Sequence, residues 1–376
     1  MNKKKKYLFV FLKTGGGHLA PARAISNYMT KHFPDIAEPI LIYGFEETPH
    51  WVKYIIEDGY GILQYTSRWF FELLYFLHKI QPVARITSFL VSNFMKKYLE
   101  AVILRELPDK IVILHFFCIN PILKILKKHN ISIPVQILIT DPFTPHPMWF
   151  LEKKQDLIVF SKELKSKVNR KKSGHNVVRL SFPIDEKFSK ILSVDEVNTF
   201  KKRLGYNPAK RMVLMLGGGD GVPKGEKLLQ QLLETKFEHE IGIVCGNNTI
   251  LRQGAENQKK KYNADNLKIY GYVDFIYDLI NISDLVITKC GASTIMEILN
   301  LKKVPLVIDY IWEQEQGNVD YIKNKKLGIY EPHVKKLPGL IKNLLEDDEL
   351  RLSYKKNIDK ENISNGVKEV AEYLTL

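Results

Sequence analysis

The chain has 376 residues, enough for two domains at about 150 residues each, which excludes a single small binding module. Hydrophobic residues at 45% and charged residues at 26% exclude a largely disordered chain and permit a large core. Lys and Arg number 56 against 42 Asp and Glu, and the resulting charge of +14 suits an anionic partner: nucleic acid, anionic lipid or a phosphorylated ligand.

Three widely spaced cysteines, Cys118, Cys245 and Cys290, form no CxxC pair, so neither a disulfide framework nor a thiolate zinc site is expected, and a reducing compartment is the default. The opening MNKKKKYLFVFL has a basic start, but its apolar stretch is shorter than the roughly 7 to 15 residues of a signal-peptide core and runs straight into TGGGH, so it reads as a first strand. The nearest approach to a membrane span, Ile111 to Leu126, is broken by His115, Asn120, Pro121 and Lys124. The chain is not expected to cross a bilayer.

Short β-rich apolar runs alternate with helical stretches, the pattern of βα units around buried parallel sheets. Strands are predicted at Tyr7 to Leu12, Pro39 to Tyr43, Ile111 to His115, Val135 to Thr140, Leu157 to Phe160 and Val177 to Ser181. A second series follows at Met212 to Leu216, Ile241 to Cys245, Leu267 to Tyr270, Leu285 to Thr288 and Val304 to Ile308. These imply two doubly wound α/β domains, residues 1–185 and 186–376, joined through SFPIDEKFSK, with the last helix packing back on the first domain. Residues 51–100 interrupt the alternation as inserted helices rich in aromatics, among them Trp51, Tyr54, Tyr60, Tyr65, Trp69, Phe70, Phe71, Tyr75 and Phe76. Trp69, Leu73, Phe76, Leu77 and Ile80 form one apolar helical face, with Lys53, Arg68, Lys79, Arg85, Lys96 and Lys97 as basic edges. Such a face packs on its own domain or meets a bilayer interface; the aromatic and basic mixture favours the bilayer.

Open α/β sheets bind ligands beyond the carboxyl ends of their strands. After the first strand, Thr14-Gly15-Gly16-Gly17-His18 lets backbone N–H groups approach a ligand closely at a helix start, with neither the GK[ST] of a P-loop nor a GxGxxG pattern. His18, at the positive end of that helix, is expected to stay neutral, as a general base at pH 7 requires. Gly217-Gly218-Gly219-Asp220-Gly221 is the matching loop of the second domain, with a diphosphate as its natural guest. Ser293 and Thr294, at the helix start that follows Lys289-Cys290-Gly291, can donate to phosphate, and Glu297 can accept from two ribose hydroxyls. Gln314, Glu315 and Asn318 form a polar cluster suited to sugar hydroxyls.

In order, TGGGH, TDPFTPHPMW, GGGDG, CGNN, YGYVD, ITKCGASTIMEIL and DYIWEQEQGNV resemble the motifs of the monogalactosyldiacylglycerol synthase and processive diacylglycerol glucosyltransferase group, relatives of the transferase that adds N-acetylglucosamine to lipid II. The resemblance implies a GT-B fold, two Rossmann-like domains facing across a cleft, with a lipid acceptor on the first and a UDP-sugar on the second. It also implies an inverting transfer of galactose or glucose to diacylglycerol. His18 would be the base, with Asp141 its orienting partner or rival. Gly15, Gly16 and Gly17 would face the reacting sugar and phosphate; Gly217, Gly218, Gly219, Ser293 and Thr294 would hold the diphosphate, with Asn247 and Gly291 also in the donor site; Tyr272 and Val273 would lie along uracil; Glu297 would take the ribose, and Gln314, Glu315 and Asn318 the hexose. His146 and Trp149 would line the acceptor side, with Trp69 and Phe70 on the membrane edge. Relatives often have Pro-Gly where this chain has Trp312-Glu313, and a Pro or Gly near Cys290 and Ala292, so the donor sugar is left open.

No DxD sequence offers a carboxylate pair for Mg or Mn, so no metal or other cofactor is expected. Expected partners are a UDP-sugar, diacylglycerol and anionic lipids at the cytoplasmic face of the membrane. A polyprenyl diphosphate sugar is an alternative acceptor, and a UDP-sugar epimerase is an alternative on the same fold. Nucleic acid is disfavoured because no aromatic platform interleaved with Lys and Arg is present.

Overall fold

The computed structural model describes residues 3–171 and 173–376; the side chains of Tyr60, Tyr65 and Arg68, counted above in the helical insertion, lie outside the described set. The chain divides into two compact units: Met1–Glu186 with Trp312–Gln314 and Asn365–Leu376, and Lys187–Ile311 with Glu315–Ser364.

In the first unit, strands β1 (Lys5–Phe11), β2 (Ala37–Tyr43), β3 (Lys110–Ile113), β4 (Val135–Leu138), β5 (Asp156–Val159) and β6 (Asn176–Arg179) form one parallel sheet in the order β2-β1-β3-β4-β5-β6. Tyr7 to Leu12 are buried without alternation, because helices cover both faces of a parallel sheet. The helix Leu19–His32 turns Ala22, Ile25 and Met29 inward at helical spacing. The long helix Gln81–Glu106 delivers Met95, Leu99, Val102 and Ile103 to the core that also holds Leu8, Val10, Ile111 and Ile113.

The second unit repeats the plan with β7 (Met212–Leu216), β8 (Glu240–Val244), β9 (Leu267–Tyr270), β10 (Leu285–Lys289), β11 (Val304–Asp309) and the short β12 (Ile329–Tyr330), ordered β12-β11-β10-β7-β8-β9 and parallel throughout. Counted within the unit this is the 3-2-1-4-5-6 order of a Rossmann sheet, and its order reverses between β7 and β10. In the first sheet the reversal lies between β1 and β3. The loops leaving β1, β3, β7 and β10 therefore open at the two switch points, where such sheets bind ligands.

The insertion is helical throughout: His50–Lys53, a π-helical turn Tyr54–Asp58, Gly59–Thr66, Arg68–Leu77 and the start of Gln81–Glu106. In Arg68–Leu77 the inward residues are Phe71 and Tyr75, whereas Trp69 (70% exposed), Leu73, Phe76 and the following Ile80 face solvent. The apolar face expected to pack or dock is thus an outer face. Its basic edge is partly committed elsewhere: Lys53 donates to the Glu46 carbonyl, Arg85 to the Leu151 carbonyl, and Lys79 pairs with Glu313. Among the described residues, no helix is long and apolar enough to cross a membrane.

Candidate active site

The first switch point is lined by the β1 loop and the residues that follow β3. Gly15 has φ +71°, a left-handed conformation that favours glycine, and a Cβ at Gly15, Gly16 or Gly17 would meet only open space. The backbone here is bare and approachable. Thr14 Oγ1 is buried and lacks a hydrogen-bond partner among the described residues. His18 stands at the N-cap of Leu19–His32, but its ring makes no capping bond. It is turned inward, 4% exposed, with Nδ1 2.7 Å from Thr140 Oγ1 and its ring edge-on to His115 at 4.6 Å. Burial lowers the His18 pKa, opposed by the Asp141 charge and the Leu114 carbonyl. Neutrality follows as expected, but desolvation leads it rather than the helix end.

Asp141 does not hold the His18 ring. Its Oδ2 accepts from Trp149 Nε1 at 3.0 Å and its Oδ1 from Gln314 Nε2 at 3.2 Å, while the Gln314 carbonyl accepts from Thr144 Oγ1 at 2.8 Å. Asp141 acts on His18 as a nearby charge, and Thr140 is the hydrogen-bonded neighbour. His146 is buried, its Nδ1 accepting from the Met148 N–H to cap the short turn Pro147–Phe150 and its ring edge-on to Tyr75 at 4.5 Å. Trp149 is 1% exposed, a support for Asp141 rather than a surface residue. Trp69 and Phe70 lie on the outer helical face.

Sequence reasoning passed over Thr140 and His115. The sequence pattern makes both the last residues of strands, yet β4 stops at Leu138 and β3 at Ile113, so each lies two residues beyond its strand in a loop at the carboxyl edge of the sheet. A polar residue closing an apolar strand at that edge was the available signal.

In the second unit, the β7 and β8 loops are interlocked through backbone. The Asn247 N–H donates to the Gly219 carbonyl at 2.7 Å, and Asn248 Nδ2 donates to the Asp220 carbonyl at 3.2 Å. A Cβ on Gly246 would lie 2.0 Å from the Gly219 oxygen, and one on Gly217 would lie 2.0 Å from the Gly221 oxygen. Gly218 and Gly219, by contrast, face open space. Some glycines here permit loop packing, and others leave an uncovered cradle.

Beside β7, the chain leaving β10 passes a register shift at Thr288/Lys289 and enters the helix Ala292–Asn300 through Gly291, which supplies no side-chain cap. Ser293 Oγ is buried there without a partner among the described residues. Uncapped N–H groups and an unsatisfied hydroxyl at a switch point suit an anion. Thr294 and Glu297 follow on the same helix, both half-buried. Glu315 is buried, with Oε2 accepting from the Ile311 N–H at 2.7 Å and Oε1 3.7 Å from Lys289 Nζ. Asn318 Nδ2 donates to the Cys290 carbonyl at 2.8 Å, and its buried Oδ1 has no partner among the described residues. Tyr272 is exposed and Val273 half-buried in the loop after β9.

Residues 18–180 match the family described as monogalactosyldiacylglycerol (MGDG) synthase, and residues 212–374 match the glycosyltransferase family 28 C-terminal domain. The chain is 25% identical over 338 residues to the chloroplastic monogalactosyldiacylglycerol synthase of Spinacia oleracea, covering 87% of this chain and 63% of that protein. It is 27% identical over 353 residues to a processive diacylglycerol beta-glucosyltransferase of Bacillus cereus strain B4264, covering 93% and 87%. The chain thus spans less than two thirds of the spinach relative. A glycosyltransferase structure from Rickettsia africae aligns with TM-score 0.60 at 15% identity over 99% of this chain and 98% of that one. Medicago truncatula UGT71G1 complexed with UDP-glucose aligns with TM-score 0.64 at 13% identity over 100% and 99%. At these identities the structural likeness is one of fold: two α/β domains of GT-B type.

Proposed function

We propose that this chain, which matches the monogalactosyldiacylglycerol synthase family over residues 18–180 and the glycosyltransferase family 28 C-terminal domain over residues 212–374, is a glycosyltransferase that moves a hexose from a UDP-sugar to the free hydroxyl of diacylglycerol with inversion. The observation that carries the donor half is the second switch point: a bare Gly218-Gly219 cradle beside an uncapped helix start with an unsatisfied buried Ser293 hydroxyl. Those groups would receive the diphosphate, and Glu297 the ribose hydroxyls. Asn318 Oδ1, and what capacity Glu315 keeps beyond its contacts with Ile311 and Lys289, would address the hexose.

In the reaction the acceptor oxygen attacks the anomeric carbon and its proton passes to His18. The bond from that carbon to the diphosphate oxygen breaks on the opposite face, and UDP leaves with the electron pair. Negative charge grows on the diphosphate, and preorganised amides and a helix start would stabilise it without a bound metal. Treatment with a chelator should then leave turnover unchanged. The acceptor never leaves the bilayer, so the outer aromatic face of the insertion would bring the enzyme to the membrane, on its cytoplasmic side, helped by the net positive charge. The test is incubation with diacylglycerol vesicles and UDP-glucose or UDP-galactose, with mass spectrometry of the extracted lipids. A hexosyl diacylglycerol is expected; release of free hexose or an interconverted nucleotide sugar without glycolipid would reject the reading.

A further inference from the structure

We propose that Thr140 is the positioning residue of His18, its hydroxyl accepting from Nδ1–H so that Nε2 is left as the basic nitrogen. The inference rests on the reading of His18 as the base and adds what aims it.

Thr140 is 2% exposed, and Oγ1 lies 2.7 Å from His18 Nδ1, the one hydrogen bond of that hydroxyl among the described residues. A neutral imidazole carries one N–H, and the partner of that N–H decides which nitrogen keeps the lone pair. The usual orienting group is a carboxylate, and Asp141 is the next residue along the chain. Its two oxygens, however, are taken by the Trp149 indole and the Gln314 amide. At Nδ1 the ring therefore meets a neutral hydroxyl, and the Leu114 carbonyl, which can only accept, is the other hydrogen-bonding group that acts on the ring.

His115 completes the arrangement. Its Nδ1 accepts from the Phe117 N–H at 3.2 Å, so in its neutral form the proton sits on Nε2, and its ring walls one side of His18 at 4.6 Å. Nothing in that contact substitutes for Thr140 at Nδ1. The sequence supplies the geometry locally: pairing of β4 ends at Leu138, and Ile139 remains anchored through its N–H to the Ile158 carbonyl at 3.0 Å. Thr140 is thereby carried to the sheet edge on a fixed backbone.

The experiment uses the full chain labelled with 15N-histidine. Long-range proton–nitrogen correlation assigns the His18 ring by comparison with His18→Ala. The wild type should show Nδ1 protonated and Nε2 with the lone pair. Thr140→Val, of nearly equal shape, should move the ring towards the other tautomer and lower kcat by about 10-fold or more while UDP affinity holds. Thr140→Ser should keep the wild-type tautomer and a kcat within about threefold. A wild-type ring protonated at Nε2, or Thr140→Val with unchanged kcat, overturns the proposal. If Thr140→Val does not fold, the wild-type spectrum decides alone. Failure of the base reading is seen separately, as full turnover in His18→Ala.

Discussion

Trp149 Nε1 donates to Asp141 Oδ2 at 3.0 Å from within the core, so the carboxylate of the TDPFTPHPMW motif is held by the motif's own tryptophan, eight residues on. A hydrogen bond to a charged group is worth about 1.5–3 kcal/mol. Trp149→Phe keeps most of the ring but removes the donor, and should lower the thermal midpoint with partial loss of turnover. Asp141→Asn presents an NH2 to one of two facing donors and should cost more turnover than Trp149→Phe. If Asp141→Asn abolishes turnover while His18→Ala remains active, the base is Asp141.

His18→Ala should leave UDP affinity nearly intact and reduce turnover about 100-fold or more, the range for losing a general base. His18 belongs to the first unit, whereas the phosphate cradle is built from the second. Calorimetry with UDP and single-turnover kinetics on the same preparation separate the two effects. Weakened UDP binding together with normal chemistry would remove His18 from the base role.

The eleven strands expected from the sequence are present; most are apolar runs buried on both faces, a signal that does not depend on neighbours, while β2, β6 and β9 at the sheet edges are partly exposed. β12 escaped notice because two residues, Ile329 and Tyr330, carry no periodicity. The glycine loops and the helix start at Ser293 were legible for a similar reason: a strand end, small residues and a helix onset are local features. What was not legible is who touches whom. Thr140 and His18 are 122 positions apart, and nothing in either segment says that a threonine rather than the adjacent aspartate meets the ring. Nor did the spacing of Trp69, Leu73 and Phe76 reveal that Phe71 and Tyr75 would be the residues buried in that helix. An all-round apolar sequence leaves the choice of inner face to packing.

Glu297 follows the Ser293 hydroxyl by one helical turn on Ala292–Asn300. If it accepts both ribose hydroxyls, Glu297→Ala should weaken UDP binding by roughly 1.5 to 3 kcal/mol. Calorimetry on the folded variant checks this, with uracil-free diphosphate as the control ligand, whose affinity should not move. Unchanged UDP affinity would take Glu297 out of the donor site.

Burial keeps His146 neutral and pushes its pKa down to about 4, and burial lowers His18 and His115 in the same direction. An unfolded histidine titrates near 6.5. Between these values the unfolded chain binds protons that the native chain does not, so stability falls as pH drops from about 6.5 towards 4 and, for these groups, is flat above 6.5. His146→Asn retains a side-chain acceptor for the Met148 N–H and removes one titrating group. Its thermal midpoint should stay close to wild type at pH 7.5 and decline less steeply below pH 6. Parallel declines in the two proteins would show that His146 is not among the groups responsible.

The outer face of the insertion gives the last expectation. Trp51, Trp69, Phe76, Ile86, Phe89 and Leu90 are large apolar side chains left in solvent within one stretch of helices. Single exposed apolar residues are ordinary, but this many within one helical insertion point to an interaction surface. With diacylglycerol as the proposed acceptor, the bilayer is the surface of matching chemistry. Each Lys or Arg near an anionic leaflet adds on the order of 1 kcal/mol, screened by salt, whereas inserted aromatics contribute a part that salt does not weaken. Liposome sedimentation should show binding that rises with phosphatidylglycerol content, drops in high salt, and falls further when Trp69 and Phe70 are both changed to Ser. Because Trp69 is 70% exposed while Phe71 carries the packing, this double variant should keep its thermal midpoint. Unchanged lipid binding, or a midpoint that collapses with it, would mean that these rings are not the part of the chain that meets the membrane.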